Sequence, residues 1–213
     1  MALFITFICL SFLIIYIICS SENNSNKINK NDNIIKGIVG EELICNEIEK
    51  NLDIYYKIIR NVYIYKDDNK TEIDIILITT TGIFVIESKN YNGYIYGEEK
   101  NYNWTQFIKK GTTYQRMNPI RQNNYHIKFL SQYLNKPEDD FKSYVVFSDN
   151  AKLSKINYDH KKSRVINTKH LILYLINDIH DSNIIYTHEE IDKIYIDLKY
   201  YNEHSNINYK INN

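Results

Sequence analysis

Neither sign of charge prevails in this chain: 26 lysines and arginines balance 26 aspartates and glutamates. A wholly basic surface, the simplest footprint of a protein that coats nucleic acid, is therefore excluded, although a local cleft is not. Cysteine is scarce as well, occurring only as Cys9, Cys19 and Cys45. The first two fall in an apolar N-terminal run, which leaves one thiol for the remainder and excludes an intrachain disulfide framework there. No Cys/His spacing matches a zinc site. The histidines, His126, His160, His170, His180, His188 and His204, are scattered. Each reads as a surface or half-buried residue rather than a ligand. There is no internal repeat.

The N-terminal run is long and apolar. Residues Ala2 to Cys19 are interrupted only by Thr6 and Ser11. As a helix they would span about 27 Å, close to the hydrocarbon thickness of a bilayer. No Lys or Arg precedes the run and no clear small-x-small cleavage site follows it. It therefore reads as an uncleaved transmembrane anchor over residues 1–20, with a cleaved signal as the alternative. Lys27, Lys30 and Lys36 follow, so the positive-inside rule puts the rest of the chain on the cytoplasmic side of the membrane. Residues 21–35 are polar and low in complexity, as in a flexible tether. About 190 residues follow the anchor, enough for one domain with a real core. Over the whole chain a hydrophobic content of 44% and a charged content of 24% make the bulk globular rather than disordered.

The folded part opens with Glu41, Ile44, Ile48 and Leu52 on one helical face. Lys57–Tyr65 reads as a strand, Asp67-Asp68-Asn69 as a turn, and Glu72–Ile78 and Ile83–Lys89 as two strands joined through Thr79–Gly82. Tyr94–Tyr96 is a short strand. Asn118-Pro119 is a helix start, with Asn as cap and Pro in the first turn. Ser143–Phe147 reads as a buried strand, Arg164–Asn167 as a short one and Leu171–Ile176 as a helix. Thr187 and Glu190 form a capping box ahead of a final amphipathic helix. The order predicts an α/β or α+β domain.

The hairpin carries the chemistry. Side chains alternate across a strand. A connection that pairs Ile78 with Ile83 also pairs Ile76 with Val85, Asp74 with Glu87 and Glu72 with Lys89. Two carboxylates would then stand opposite each other with Cβ atoms about 5 Å apart, an arrangement that destabilises a sheet. A bound Mg²⁺ would reverse the sign, since it takes oxygen ligands from one or two carboxylates. Lys89, on the same face, could offset charge on a phosphate or help activate water. A three-residue loop with a bulge at Gly82 would instead put Asp74 and Glu87 on opposite faces. Glu41 lies on the apolar stripe of its helix, which is costly without a partner unless it reaches solvent at the stripe's end.

The ordered set Gly37-x-x-Gly40-Glu41, Thr71-Glu72-Ile73-Asp74, Gly82 to Asn90 (GIFVIESKN), Gly93, Trp104 and Asn118-Pro119-x-x-Gln122 resembles the nuclease-related domain, NERD. That family is assigned to the PD-(D/E)xK restriction-endonuclease-like group. The resemblance implies a restriction-endonuclease-like central mixed sheet flanked by helices over residues 36–150. Residues 151–213 would be a helical extension packed on the same domain. It also implies hydrolysis of phosphodiester bonds in nucleic acid, DNA ahead of RNA, with Mg²⁺ or Mn²⁺ as cofactor. Carried over by position, Asp74 and Glu87 become metal ligands, Lys89 the catalytic lysine, and Glu41 and Gln122 supporting residues. The first acidic motif is Glu-Ile-Asp rather than Pro-Asp.

Other readings stand beside this. Glu87 and Lys89 taken alone fit a solvated strand edge, and Gln122 an exposed helical position. Trp104 is more often a packing residue than a stacking platform. Tyr91, Tyr94, Tyr96 and Tyr102 could stack on bases, and Lys109, Lys110, Arg116 and Arg121 could hold phosphates or simply be solvated. The alternative function is a membrane-tethered module that binds nucleic acid or another partner without turnover.

Overall fold

A computed structural model describes residues 35–66, 69–109 and 111–212 of the chain. The N-terminal run, the tether, Asp67 and Asp68 of the expected turn and Lys110 lie outside the described residues. Among the described residues, no helix is long and apolar enough to cross a membrane. The chain divides into two compact units, Met1–Val39 and Gly40–Asn213. Of the first, residues 35–39 are helical. The second holds both sheets.

The first helix of this second unit, α1, covers residues 40–51. Three strands come after it: β1 (Tyr56–Lys66), β2 (Asn69–Thr79) and β3 (Gly82–Lys89). Next come β4 (Gly93–Glu98), β5 (Asn103–Ile108), β6 (Thr112–Met117) and helix α2 (Pro119–Leu134). The chain continues through β7 (Phe141–Phe147), β8 (Ala151–Asn157), β9 (Ser163–Asn167), α3 (Leu171–His180) and α4 (His188–Asn212). The strands form a five-stranded sheet, β1-β2-β3-β7-β9, and a four-stranded sheet, β6-β5-β4-β8. Both are mixed. β1, β2 and β3 run antiparallel, whereas β7 lies parallel to β3 and β9 parallel to β7. The α/β expectation holds in this form, with helices on both faces of the larger sheet.

That sheet has two apolar faces. Ile76, Ile78, Ile83 and Val85 pack with Ile127 and Leu130 of α2 and with Ile191, Ile194 and Leu198 of α4. Ile75, Leu77, Phe84 and Ile86 pack with Ile44, Ile48 and Leu52 of α1 and with Leu171 and Leu175 of α3. Parallel pairing at the centre explains the apolar run GIFVI, since a strand covered on both sides has no polar face to show. Truncating a residue such as Ile76, 0% exposed, to Ala would cost about 2–5 kcal/mol.

Two elements differ from expectation. The region 102–117 supplies a hairpin, β5–β6, and residues 151–213, expected as a helical extension, supply β8 in addition to the expected short strand β9. β8 completes the small sheet and β9 the edge of the large one. The helix signals read directly. Asn118 caps α2 with Pro119 at its start. Thr187 and Glu190 exchange the two capping-box bonds, at 2.8 and 3.2 Å.

Candidate active site

The β2–β3 hairpin adopts the register that pairs Ile78 with Ile83 and Ile76 with Val85, which rules out the bulged alternative. The ladder stops at Ile75 and Ile86, one step short of the carboxylates. There the Ser88 N–H donates to Asp74 Oδ2 at 2.8 Å, so a side chain replaces the next strand carbonyl. On its other flank β2 pairs Ile75 with Arg60 and Ile73 with Val62, skipping Asp74 and Asn61. Asn61 has φ 53°, the left-handed region that Asn tolerates better than most residues. Alternation shifts across this step. Ile73 packs with Ile76 and Ile78, where strict alternation would send it with Ile75 and Leu77. The expected pairs Asp74–Glu87 and Glu72–Lys89 are thus corrected as backbone pairs. Glu72 is exposed and accepts from the Tyr63 hydroxyl at 2.5 Å.

Glu87 is 1% exposed, so it is no solvated strand edge. Its Oε1 accepts from Lys89 Nζ at 2.5 Å, and its Oε2 lies 3.0 Å from His126 Nε2. Lys89 Nζ also donates to Gln122 Oε1 at 3.1 Å. On the far side His126 Nδ1 meets Thr71 Oγ1 at 2.6 Å. Thr71, His126, Glu87, Lys89 and Gln122 therefore form one continuous hydrogen-bonded chain. His126 corrects the expectation of a surface or half-buried histidine, being 3% exposed, whereas the other five are exposed. The signal for it was its spacing: His126 follows Gln122 by one helical turn, so both project from one face of α2.

Helix α2 is aimed by two buried asparagines. Asn118 accepts from the N–H groups of Ile120 and Arg121 and donates to the carbonyls of Glu98, Glu99 and Asn101. It ties the helix start to the turn before β5. Asn123 donates to Val85 O at 2.8 Å and to Ser143 Oγ at 2.9 Å, which fastens the helix across β3 and β7. Helix α1 reaches the site through Gly40. A Cβ there would stand 3.1 Å from both Ser88 Oγ and Asn90 Cβ, so any larger residue would make those two side chains give by a few tenths of an ångström. Glu41 follows and is half-buried.

The electrostatics divide the carboxylates by role. Burial, then the charge of Glu87, pushes Asp74 up to about 8, with Lys89 and the Ser88 N–H offsetting part of the rise. Burial would raise Glu87 as well, but Lys89 and His126 together outweigh it and hold that carboxyl below the ordinary glutamate range. Burial would lower Lys89, yet Glu87, Tyr91 and Asp74 keep its ammonium above the usual value. Glu41 is raised by burial and by the charge of Glu72, against a hydrogen bond from Asn61. The result is one fixed anion, one fixed cation and one carboxyl poised near neutral pH. Of the residues singled out from sequence, Asp74, Glu87, Lys89 and Gln122 converge, while Glu41 is coupled to Asp74 and Glu87 through its field.

Among the described residues, no three His, Cys, Asp or Glu side chains are grouped to cage a metal. The hard carboxylate oxygens in the cluster are those of Asp74 and of Glu87, whose Oε1 and Oε2 are already engaged by Lys89 and His126. That set suits a cation such as Mg²⁺, which keeps most of its waters and needs only one or two carboxylates. It does not suit zinc, which wants nitrogen or sulfur.

Fold and site together define an α/β protein with an acid–lysine cluster at the open end of a central hairpin. The model for the nuclease-related domain, NERD, matches residues 36–148, and the chain belongs to that family. It is also similar to an uncharacterized protein of Bacillus anthracis, 34% identical over 167 residues, which cover 75% of this chain and 74% of that protein. No solved structure matches it.

Proposed function

We propose that this chain is a Mg²⁺- or Mn²⁺-dependent nuclease with a restriction-endonuclease-like core, hydrolysing phosphodiester bonds of nucleic acid, DNA ahead of RNA. We further propose that it is tethered to a membrane by residues 1–20, with the domain on the cytoplasmic side. The observation that carries the enzymatic reading is the placement of Glu87. An anion 1% exposed is held beside a second carboxyl, Asp74, and only one of the two is matched by a lysine. Such crowding is costly in a merely structural role.

A divalent cation held by Asp74 and Glu87 would polarise a phosphate oxygen and lower the pKa of a bound water. Lys89, locked by Glu87 and Gln122, presents a fixed positive charge where negative charge grows on the phosphate. His126 keeps the Glu87 carboxylate in one orientation. Gln122 does the same for Lys89. Glu41, raised by burial and coupled to Glu87 through its field, would serve as a supporting general base.

The test is cleavage of labelled DNA and RNA by the full-length chain in Mg²⁺ and in EDTA, beside Asp74→Asn and Lys89→Met. Cleavage by the wild type in Mg²⁺, absent in EDTA and lost in both variants, supports the reading. Cleavage that persists in Asp74→Asn at the wild-type rate overturns it.

A further inference from the structure

The chain has four arginines, and they divide into two pairs. Arg60 is bound to Glu42, and Arg164 to Asp178 at 2.6 Å. Arg116 and Arg121 have no carboxylate within ion-pair distance among the described residues. They lie instead against tyrosine rings. The Arg116 guanidinium carbon is 5.3 Å from the Tyr91 ring centre and 5.0 Å from that of Tyr114. Arg121 is 5.7 Å from the ring of Tyr102.

Arg116 is braced in this position. Its Nε donates to Gln106 Oε1 at 3.1 Å, and buried Gln106 is itself anchored on Asn92. Holding an unneutralised guanidinium so firmly costs side-chain entropy without the return of an ion pair. Tyr114 beside it is 43% exposed and Tyr102 beside Arg121 is 66% exposed, whereas Tyr91 is half-buried against Phe147. Strand β6 is one of the two edges of the small sheet, so no further strand pairs with its outer side among the described residues. The strip adjoins the site at two points. Tyr91 follows Lys89 by two residues and its N–H donates to the Lys89 carbonyl at 2.8 Å. Arg121 immediately precedes Gln122, which holds Lys89.

We propose that Tyr91, Arg116 and Tyr114, with Arg121 and Tyr102, form a subsite for an unpaired stretch of nucleic acid leading into the Lys89 site, a proposal that rests on the phosphodiester reading above. Guanidinium groups free of carboxylates take the phosphates, the exposed phenol faces of Tyr114 and Tyr102 take bases, and Tyr91, packed on Phe147, holds Arg116 in place. A duplex offers the phosphates but keeps its base faces stacked inside, so the tyrosines add nothing for it. An unpaired strand uses both.

The experiment measures binding of the full-length chain, in EDTA so that nothing is cleaved. The probes are a labelled oligothymidine, the matching oligouridine and a blunt duplex of equal length. One or both unpaired strands should bind about ten-fold or more tighter than the duplex. The difference between the two names the preferred sugar. Tyr114→Ala should weaken unpaired binding by about five-fold or more and leave duplex binding nearly as it was, whereas Arg116→Gln should weaken both, with melting temperatures unchanged in either variant. Duplex binding equal to or tighter than unpaired binding, or unpaired binding indifferent to both variants, overturns the proposal. Failure of the hydrolase reading looks different: binding then follows this pattern while Mg²⁺ brings no cleavage.

Discussion

His126 Nε2 and Glu87 Oε2 lie 3.0 Å apart, with both side chains almost wholly shielded from solvent. A buried carboxylate oxygen that loses its partner incurs the full cost of its desolvation. His126→Ala should therefore destabilise the domain by about 1–3 kcal/mol in urea denaturation. His126→Gln, which can still offer an N–H, should recover part of the loss. Equal stability of His126→Ala and wild type would show that the bond contributes nothing.

Asp74 and Glu87 should respond unequally to neutralisation, although the sequence presents them as an equivalent pair. Asp74→Asn keeps an acceptor for the Ser88 N–H and resembles the protonated acid, so without metal it should be nearly neutral at pH 7 and relieve repulsion, by up to about 1 kcal/mol, only where Asp74 ionises above about pH 8. Glu87→Ala strips Lys89 and His126 of their shared partner deep in the fold and should cost about 3–5 kcal/mol. Denaturation of both variants in EDTA checks this. A large loss in Asp74→Asn would mark that carboxyl as scaffolding.

Much of this site was legible in sequence because the signals are local. Parity along GIFVIESK puts Glu87 and Lys89 on one face, and Asn118-Pro119 fixes where α2 starts and hence where Gln122 points. The shift at Asn61 and Asp74 was not legible. It arises from one left-handed residue on a neighbouring strand, and nothing in the β2 sequence records it. His126 was hidden for a similar reason, since a lone histidine on a helix declares its role only when the facing strand supplies Glu87. The β5–β6 hairpin escaped notice because β6 is almost entirely solvated and shows no apolar alternation.

The apolar run Ala2–Cys19 and Lys27, Lys30 and Lys36 behind it predict an N-terminal anchor with the domain inside the cell. A tag placed after Asn213 should resist protease added to intact cells and be digested once the cells are opened. Recovery of the chain in a carbonate-washed membrane fraction should accompany this. Digestion in intact cells would reverse the orientation, and a soluble, shortened chain would indicate a cleaved signal.

The raised pKa of Asp74 makes both stability and cation uptake depend on pH. An unfolded aspartate titrates near its ordinary value of about 3.9, whereas folded Asp74 is pushed up to about 8. Between those limits the folded state holds a proton that the unfolded state has released. The contribution of Asp74 is therefore fully present at acid pH and is lost as pH rises through about 8. Glu87 acts in the other sense, since its depressed carboxyl supports the fold until pH falls below the ordinary glutamate range. In EDTA, wild type should thus lose stability from about pH 4 to about pH 8 relative to Asp74→Asn, which lacks the titrating group, and the difference should level off above that. A cation bound by Asp74 needs the ionised form, so at neutral pH its uptake must expel that proton. Titration calorimetry with Mg²⁺ or Mn²⁺ near pH 7, in two buffers of different ionisation enthalpy, should show release of a proton by the wild type. The affinity should tighten toward about pH 9 and level off there, and Asp74→Asn should show neither effect. Cation binding of pH-independent strength with no proton released would mean that Asp74 is not a ligand, and the metal site would have to be placed elsewhere.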